Sequence, residues 1–466
     1  MPTLVDLPVE LLQDIFIDLR EDPFTERESL LSLCRTCTRL RDVAQPFLYC
    51  STDLPKWPSQ PLESLKCLTR TIVARPDLAD KVKSLAISTD SDAEALLLPD
   101  DVYKVFQDDI PKRDEDAGEE KEKEEDGKKM KFDHFAIVLF SRLGRLERLH
   151  LDVDTWPAQQ LLQYIEESPR PPDSSKETEN TENTNPKVQT TRKFPSLKHL
   201  TVSPEGPPFN LADFSAFLTL PSLQTAHFSE TLASVGHAFG KKLDIPPNSV
   251  NLSRLVLEKC FMREKCLRKL LAACKNLRLL RVSAPDKGTY NWHGIDVGNT
   301  YQFTPEQLVN AISQTGCNSL AVLSAEFTSY YPATPHVEAY QYPNMRHLRS
   351  LRTLSIEQGL LPELERLPKK LKTLRLADAS FRSIFEDFFE TLVQVKKKWC
   401  TDIEEISVEG YGIDERIIEL AKTHGGIDVS RDAEGYHRIG FPGLGCSVKV
   451  VDVSFFDEPN GAFAIR

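Results

Sequence analysis

The six residues Leu371–Leu376, LKTLRL, carry apolar side chains at their first, fourth and sixth positions and polar side chains between them. Positions four and six of this unit stay apolar wherever the spacing recurs, and of the 27 residues at positions three, five and seven only Val256, Leu279, Val322 and Ala377 are apolar. Such alternation predicts a β-strand with one buried and one open face. The unit occurs nine times, starting at Leu146, Leu197, Leu223, Leu252, Leu277, Leu320, Leu351, Leu371 and Ile403.

Helical segments separate these predicted strands. A strand followed by a helix at recurring intervals is typical of a leucine-rich-repeat solenoid, in which each unit covers the apolar side of the next. We therefore expect an α/β chain whose residues 89–430 form an irregular leucine-rich-repeat array, with parallel strands on the concave face and helices outside. The predicted helices are Ala158–Glu167, Leu211–Leu220, Glu264–Cys274, Pro305–Thr315, Phe381–Trp399 and Glu415–Thr423.

Two insertions explain the widest gaps between units. Residues 111–131 are almost all Lys, Asp and Glu, and residues 168–193 are rich in Pro, Ser, Thr, Glu and Asn. Neither segment can bury enough apolar surface to offset its ordering entropy, so both are expected to be mobile. Residues 431–466 leave the repeat pattern and are predicted to form a C-terminal cap or tail. A terminal strand is indicated there by Val448, Val450, Val451, Val453 and Phe455.

The N-terminal residues 6–19, DLPVELLQDIFIDL, have helical periodicity, with one apolar stripe that runs from Leu7 to Leu19. Pro8 suits the first turn of a helix, where its missing N–H would have no partner. Two further apolar segments follow, from Leu30 to Cys34 and from Leu40 to Leu48. Three short helices within about 50 residues bury little surface among themselves, so they need a partner or the rest of the chain.

This segment resembles the F-box, and residues up to about 88 look like the stretch that follows it in fungal F-box proteins. The resemblance rests on Leu7–Phe16 (LPVELLQDIF), Leu30–Cys37 (LLSLCRTC) and Arg39–Ala44 (RLRDVA). Leu40 departs from the pattern, since many F-boxes carry Trp or Phe there. The resemblance implies an F-box over residues 1–50, followed by a helical linker and first repeat over residues 51–88. It also implies that a Skp-type adaptor is bound by Leu7, Pro8, Leu11, Leu12, Ile15, Phe16, Leu19, Leu31 and Leu33.

Composition narrows the function further. The net charge of −12 argues against a general nucleic-acid-binding role, and no apolar run reaches the roughly 18 residues of a membrane span. The first residues lack the basic and apolar regions of a secretory signal, so cytoplasm or nucleus is expected. Gly440–Gly445 (GFPGLG) fits no phosphate-binding loop, and neither HExxH nor GxSxG occurs. We expect no enzyme activity, no catalytic residue, no metal and no cofactor.

The cysteines and histidines are the candidate metal ligands of this sequence. Cys34 and Cys37 form one CxxC, but no second pair follows at zinc-binding spacing, so they are expected on one helical face or turn. His150, His199 and His227 are predicted on the open faces of consecutive strands, where they could form a row. Such a row could bind a metal, contact a partner or only face water, and we expect no carboxylate or cysteine to complete a metal site.

Together these features predict the substrate-recognition adaptor of a Skp–cullin–F-box ubiquitin ligase. The F-box would reach the cullin and RING subunits through the Skp-type adaptor, and the open strand face would bind an unidentified protein substrate. A scaffold or trafficking platform that binds the adaptor without ubiquitination is the alternative. We expect the open faces of the early strands to have a neutral to positive charge and those of the late strands to have a negative charge. The candidate substrate-binding residues on these faces are Arg148, His150, His199, His227, Arg254, Glu258, Arg281, Glu326, Glu357, Arg375, Glu405 and Glu409.

Overall fold

Every predicted strand forms, and each begins two residues after the start of its unit. The computed structural model describes the chain in separate ranges, and all structural statements below concern these alone. Contacts divide the chain into two compact units, residues 1–209 with 213–225 and residues 210–212 with 226–466. The described residues are 4–20, 26–53, 61–89, 96–97, 129–130, 132–153, 194–204, 208–233, 243–285, 291–292, 295–296, 303–327, 341–357, 361–377, 402–410, 429–431, 437–441 and 446–452.

The first unit begins with a 3-10 turn, Leu4–Asp6, and three helices. They enclose a small core of Leu12, Phe16, Leu30, Leu40 and Ala44. The Phe16 ring packs edge-on against Phe47, with the ring centroids 6.1 Å apart. The helices are α1 (Val9–Arg20), α2 (Glu26–Thr36) and α3 (Thr38–Cys50), followed by α4 (Pro61–Ala74), α5 (Pro76–Ala79) and α6 (Phe132–Arg142).

Helix α6 was not predicted from the sequence. Its residues from Phe135 to Phe140 are all buried, which removes the polar face that a periodicity search needs. It packs against α4. Beside these helices, the parallel strands follow the order β1 (Ser51–Asp53), β2 (Ser84–Thr89), β5 (Arg148–Val153) and β6 (His199–Pro204). A short antiparallel pair joins β3 (Leu96–Leu97) to β4 (Lys129–Met130).

The second unit contains most of the repeat strands. β7 (Thr225–Ser229) belongs to it apart from its first residue. From there the parallel order is β9 (Arg254–Glu258), β11 (Leu279–Ser283), β14 (Val322–Glu326), β15 (Thr353–Glu357), β16 (Thr373–Ala377) and β17 (Glu405–Gly410). Minor strands are β8 (Leu232–Ala233), β10 (Phe261–Met262), β12 (Asn291–Trp292) and β13 (Ile295–Asp296).

Two helices of the second unit match their predicted ranges. α8 (Glu264–Ala273) and α9 (Pro305–Thr315) pack against each other, whereas the predicted helix 211–220 becomes a 3-10 turn (Leu211–Phe214) and the short α7 (Ser215–Leu218). A further 3-10 turn lies at Leu364–Arg366. The remaining predicted helices, 158–167, 381–399 and 415–423, lie outside the described residues.

The predicted terminal strand is confirmed over most of its length. β20 (Cys446–Asp452) pairs in parallel with β17 and in antiparallel with β19 (His437–Phe441), which in turn pairs with β18 (Val429–Arg431). Val453 and Phe455 lie outside the described residues, as do both proposed mobile insertions, except that Lys129 and Met130 form β4. The described parts are thus mixed α/β with a mostly parallel sheet. No helix among them has the length and apolar character to cross a membrane.

Candidate interaction surface

The first candidate surface lies on α1. Leu12 and Phe16 are fully buried in the three-helix core, so the prediction that they contact an adaptor is wrong for this arrangement. The centre of the apolar stripe faces the protein's own helices, and only its margins remain for a partner. Of the other predicted contacts, Pro8 and Leu11 are exposed and the rest are half-buried: Leu7, Ile15, Leu19, Leu31 and Leu33.

Sequence reasoning missed most of the exposed apolar side chains of this region. In the described part of the chain, the large apolar side chains with substantial exposure are Leu4 (39 %), Val9 (40 %), Leu11 (49 %) and Ile17 (45 %). Leu4, Val9 and Ile17 escaped notice because they lie off the main helical stripe. Leu11 and Ile15, four residues apart, lie on the same side of the helix. The first two elements thus offer apolar surface that their own core leaves uncovered.

Local contacts fix the three helices to one another. The Arg39 guanidinium donates to the Leu7 carbonyl oxygen at 2.8 Å, which ties α3 to the residues before α1. The Cys37 sulfur caps α3 by accepting the Leu40 N–H at 3.5 Å. Cys34 packs against the core, and burial raises the pKa of its thiol. Cys34 lies in α2 and Cys37 in the turn before α3, so the pair has a packing and capping role and does not share one helical face.

The open faces of the strands, which carry positions three, five and seven of each unit, form the second candidate surface. In the N-terminal compact part of the chain, His150 of β5 pairs in register with Thr201 of β6, and Arg148 of β5 pairs with His199 of β6. The predicted histidine row is therefore wrong for His150 and His199, because one occupies position five of its unit and the other position three. Arg148 and His199 are exposed.

His150 instead belongs to a polar cluster around Asp152, a carboxylate that is only 2 % exposed. The Oδ1 atom of Asp152 lies 2.7 Å from His150 Nε2 and accepts the Ser203 hydroxyl at 2.8 Å. Ser203 Oγ is also 3.2 Å from the same Nε2. In a nucleophilic triad the carboxylate and the serine contact opposite ring nitrogens, so this arrangement does not activate Ser203. These hydrogen bonds link the side chains of β5 to that of Ser203 on the adjacent strand β6.

His227 also has a carboxylate partner that was not expected. Its Nε2 lies 2.9 Å from Glu258 Oε2, and Arg281 Nη2 lies 3.9 Å from Glu258 Oε1. The hydrogen bond with His227 is the main reason why the pKa of Glu258 is lowered. His150 and His227 thus each have a carboxylate neighbour. The polar residues at positions five and seven of adjacent strands pair with one another.

The side chain at position seven of the repeat unit is buried in several units. The position-seven residues Asp152, Ser283 and Glu357 are buried, and so is Ser88 of β2, which pairs in register with Asp152. The Ser283 hydroxyl accepts the N–H of Lys259 at 2.8 Å, and the Glu357 carboxylate accepts the N–H of Phe327. Lys259 has a φ of +50°, so the chain turns sharply as it leaves β9. These side chains bind the turn that follows the neighbouring strand.

The assignment of Glu357 to the substrate face was therefore wrong, since its side chain is fully buried. Among the other acidic candidates, Glu326 is exposed and Glu405 is half-buried, while the side chain of Glu409 lies outside the description. Arg254 is half-buried and Arg375 exposed. The late strands thus have fewer exposed carboxylates than the sequence predicted, because the side chain at position seven is exposed in some units and buried in others.

No known family model and no characterised protein matches this sequence.

Two further observations on the described residues concern metal binding and catalysis. No group of three or more His, Cys, Asp or Glu side chains within these ranges is placed to hold a metal ion. Burial raises the pKa of Cys260 and of Cys274 to about 12, so both remain thiols at neutral pH. A protonated buried thiol is a poor nucleophile.

Proposed function

We propose that this chain is the substrate-recognition subunit of a Skp–cullin–F-box ubiquitin ligase. Residues 4–50 act as the F-box and bind a Skp-type adaptor, which links the chain to the cullin and RING subunits. The regular strand units act as an irregular leucine-rich-repeat array whose open face binds the substrate protein. The chain itself performs no chemistry in this proposal. It raises the local concentration of substrate lysines near the ubiquitin-loaded enzyme.

The observation that carries the proposal is the exposed apolar surface of the N-terminal elements. Leu12 and Phe16 fill the core, yet Val9, Leu11 and Ile17 on the same helix remain in solvent. Within the described ranges, the large apolar side chains with this much exposure all fall between residues 4 and 17, and we take this concentration as support for a protein-binding surface. The residue pattern of this helix resembles the F-box, which gives the partner its identity. Leu40, which departs from that pattern, is buried in the core, so a leucine fills that site.

The repeat architecture is supported by register. Consecutive units pair in phase, for example Leu323 with Leu354 and Leu354 with Leu374, and their position-four side chains are buried. The helices α8 and α9 follow β9 and β11 along the chain and bury apolar faces of their own. Strands in phase with helices between them favour stacked repeats, in which one continuous face is left open for binding.

A matched pair of substitutions on α1 tests the adaptor interface. Leu11→Asp should weaken recovery of a Skp-type adaptor at least tenfold, because burial of one large apolar side chain contributes roughly 1.5–3 kcal/mol. Gln13→Asp adds the same charge at an exposed polar position of this helix and should leave recovery unchanged. Pull-down with purified full-length chain and adaptor measures both.

Equal recovery with Leu11→Asp and wild type would overturn the adaptor interface. Ile15 stays unchanged in this test, since it packs against the internal core and a charge there would disturb the fold. Recovery of the cullin with the complex, and ubiquitin transfer to bound protein, separates the ligase from a scaffold that acts without ubiquitination.

A further inference from the structure

The turns that lead into four adjacent strands of the second unit are basic. Each turn runs from two residues before a repeat unit to its second residue, just ahead of the strand. The turns before β11, β14, β15 and β16 contain seven Lys and Arg residues and no Asp or Glu, although the net charge of the chain is −12. We call these four turns the basic rim: residues 275–278, 318–321, 349–352 and 369–372. The same positions of the other five units are of mixed sign, with Arg145, Lys198, Glu147, Asp402 and Glu404.

Backbone hydrogen bonds place the four turns side by side. The Arg278 carbonyl oxygen accepts the Ala321 N–H at 2.9 Å, and the Ala321 carbonyl oxygen accepts the Arg352 N–H at 2.8 Å. The Arg352 carbonyl oxygen in turn accepts the Lys372 N–H at 2.7 Å. Adjacent strands lie about 4.8 Å apart, so the three intervals from Arg278 to Lys372 span about 14 Å. The cations of these turns therefore share one edge of the sheet, ahead of the residues that form the open strand face.

Two of the seven cations have partners in the fold. Lys372 forms an ion pair with Glu404, and the half-buried Arg352 donates a hydrogen bond to the Lys370 carbonyl oxygen at 3.2 Å. The other five are exposed, and no ion pair involving their side chains occurs within the described ranges: Lys275, Arg278, Arg349, Lys369 and Lys370. A cluster of like charges raises the local positive potential, so this edge favours a negatively charged partner.

The carboxylates around the rim limit the length of its ligand. Asp402 and Glu404 lie in the next turn, before β17, and a long polyanion that followed the edge would meet them there. Glu363 and Glu365 lie near the 3-10 turn before the rim residues of β16, and Glu363 is paired with Arg366 at 3.1 Å. The rim also contains no aromatic residue on which a nucleic-acid base could stack. A short acidic segment of a protein therefore fits this edge better than a nucleic acid does.

A small cavity lies beside the neutral turn in the middle of the rim. Its volume is about 60 Å³, and its polar lining includes Ser313, Asn318, His347, Arg349 and Ser350. Among the described residues, no carboxylate lines it. One water needs about 10–15 Å³ of such space, so the cavity has room for a carboxylate group. The C-terminal end of α9 also borders the cavity and contributes a partial negative charge of about half a unit, which the full charge of Arg349 outweighs.

We propose that the basic rim binds a short acidic segment of a partner protein. The segment lies along the edge of the sheet, with carboxylates beside Lys275 and Arg278 at one end and beside Lys369 and Lys370 at the other. Arg349 and the cavity lie between these ends. This surface goes beyond the function proposed above, since it uses neither the adaptor-binding helix nor the open strand face.

The test uses the full chain without adaptor and a fluorescein-labelled peptide in which four glutamates alternate with serines. Fluorescence polarisation at low salt should detect binding, and the same peptide with glutamine in place of glutamate should not bind. Arg349→Glu should weaken binding of the glutamate peptide about tenfold, because a repulsive charge replaces an attractive one. Arg349→Gln, which only removes the charge, should have a smaller effect in the same direction. Moderate salt should weaken binding to the wild type.

Lys265→Glu is the matched control, because Lys265 is exposed on α8, outside the rim, and undergoes the same change of charge. It should leave the affinity unchanged, and a labelled single-stranded DNA of the same charge should bind more weakly than the glutamate peptide. The proposal is overturned if the glutamate peptide does not bind, if both peptides bind equally, if Arg349→Glu and Lys265→Glu have the same effect, or if the DNA binds as tightly. No adaptor is present and α1 is unchanged, so failure here leaves the adaptor interface untouched.

Discussion

At the scale of single residues, one position of the repeat unit serves two environments. Glu326 and Glu357 both end their strands at position seven, yet the first is exposed and the second is fully buried. The difference comes from the turn after β14, whose Phe327 N–H uses the Glu357 carboxylate as its acceptor. A buried backbone donor needs such an acceptor, and the sequence does not say which glutamate supplies it.

Substitution should separate these two glutamates. Glu357→Ala removes the acceptor of the Phe327 N–H and should lower the free energy of unfolding by about 1–3 kcal/mol. Glu326→Ala changes an exposed position and should stay within about 0.5 kcal/mol. Urea denaturation followed by circular dichroism compares the two variants with wild type. Similar losses for both would contradict the assigned role of Glu357. The buried position also means that charge reversal at Glu357 cannot test substrate recognition.

Glu258 gives a pH dependence with a defined sign. Its pKa is lowered in the folded chain, first by the hydrogen bond with His227; partial burial opposes this, and electrostatic interactions with His227, Arg281 and Lys259 lower it further. A lowered pKa in the folded state stabilises the fold above the unfolded pKa of about 4.3. That contribution is lost as the pH falls through the lower, folded value.

Wild type should therefore exceed Glu258→Gln in stability near pH 6, and the gap should narrow as the pH falls below about 4. Urea denaturation across this range measures the gap. The variant His227→Ala provides the control, since removing the hydrogen-bond partner should shrink the difference between Glu258 and its Gln substitution. A gap that widens toward acid would contradict the sign of the shift.

At the scale of elements, α9 has a capping motif at each end. Thr304 accepts the Gln307 N–H at 3.2 Å, and the Gln307 side chain accepts the Thr304 N–H at 3.3 Å. This reciprocal pair satisfies two donors at the helix start, and Pro305 occupies the first turn without needing one. The far end closes at Gly316, whose φ of +63° suits glycine.

Loss of this cap should be measurable. Thr304→Ala should destabilise the second unit by about 1 kcal/mol, within the usual range for a lost N-cap. Thr304→Ser keeps the hydroxyl and should retain most of the stability. Thermal melting of both variants compares them directly. Equal melting temperatures for Thr304→Ala and wild type would show that the cap contributes little in this context.

Helix α1 shows how far periodicity leads at this scale. The pattern predicts a helix with one apolar stripe, and the structure has that helix over Val9–Arg20. Periodicity alone does not divide the stripe between internal and external contacts. α2 and α3 cover Leu12 and Phe16, and their positions are a property of the folded segment. The sequence therefore shows that Val9 and Ile17 are apolar, but the helical pattern does not indicate that they are exposed.

At the scale of the whole molecule, the acidic insertion offers a simple test of what the fold requires. Residues 112–128 lie outside the described residues, and the prediction for them rests on composition. Lys129 and Met130 pair with Leu96 and Leu97, so a deletion must end before them. Removal of residues 112–128 should change the melting temperature by less than about 2 °C. Loss of cooperative unfolding on differential scanning calorimetry would show that the segment contributes to the fold.

The sequence by itself determined where the strands lie. Alternation is a local property, because successive side chains of a strand point to opposite sides whatever lies beyond them. All nine units therefore became strands at the expected residues, and the valines near residue 450 became β20. The helices over 264–273 and 305–315 followed from periodicity and terminal signals in the same way.

Tertiary structure alone decided which polar and apolar side chains are covered. Burial of Glu357 depends on a turn from the neighbouring unit, and burial of Phe16 depends on α3. Helix α6 became recognisable as a helix only once its surroundings were known. Each of these outcomes is set by contacts between residues distant in sequence, and a pattern read along one segment contains no record of them.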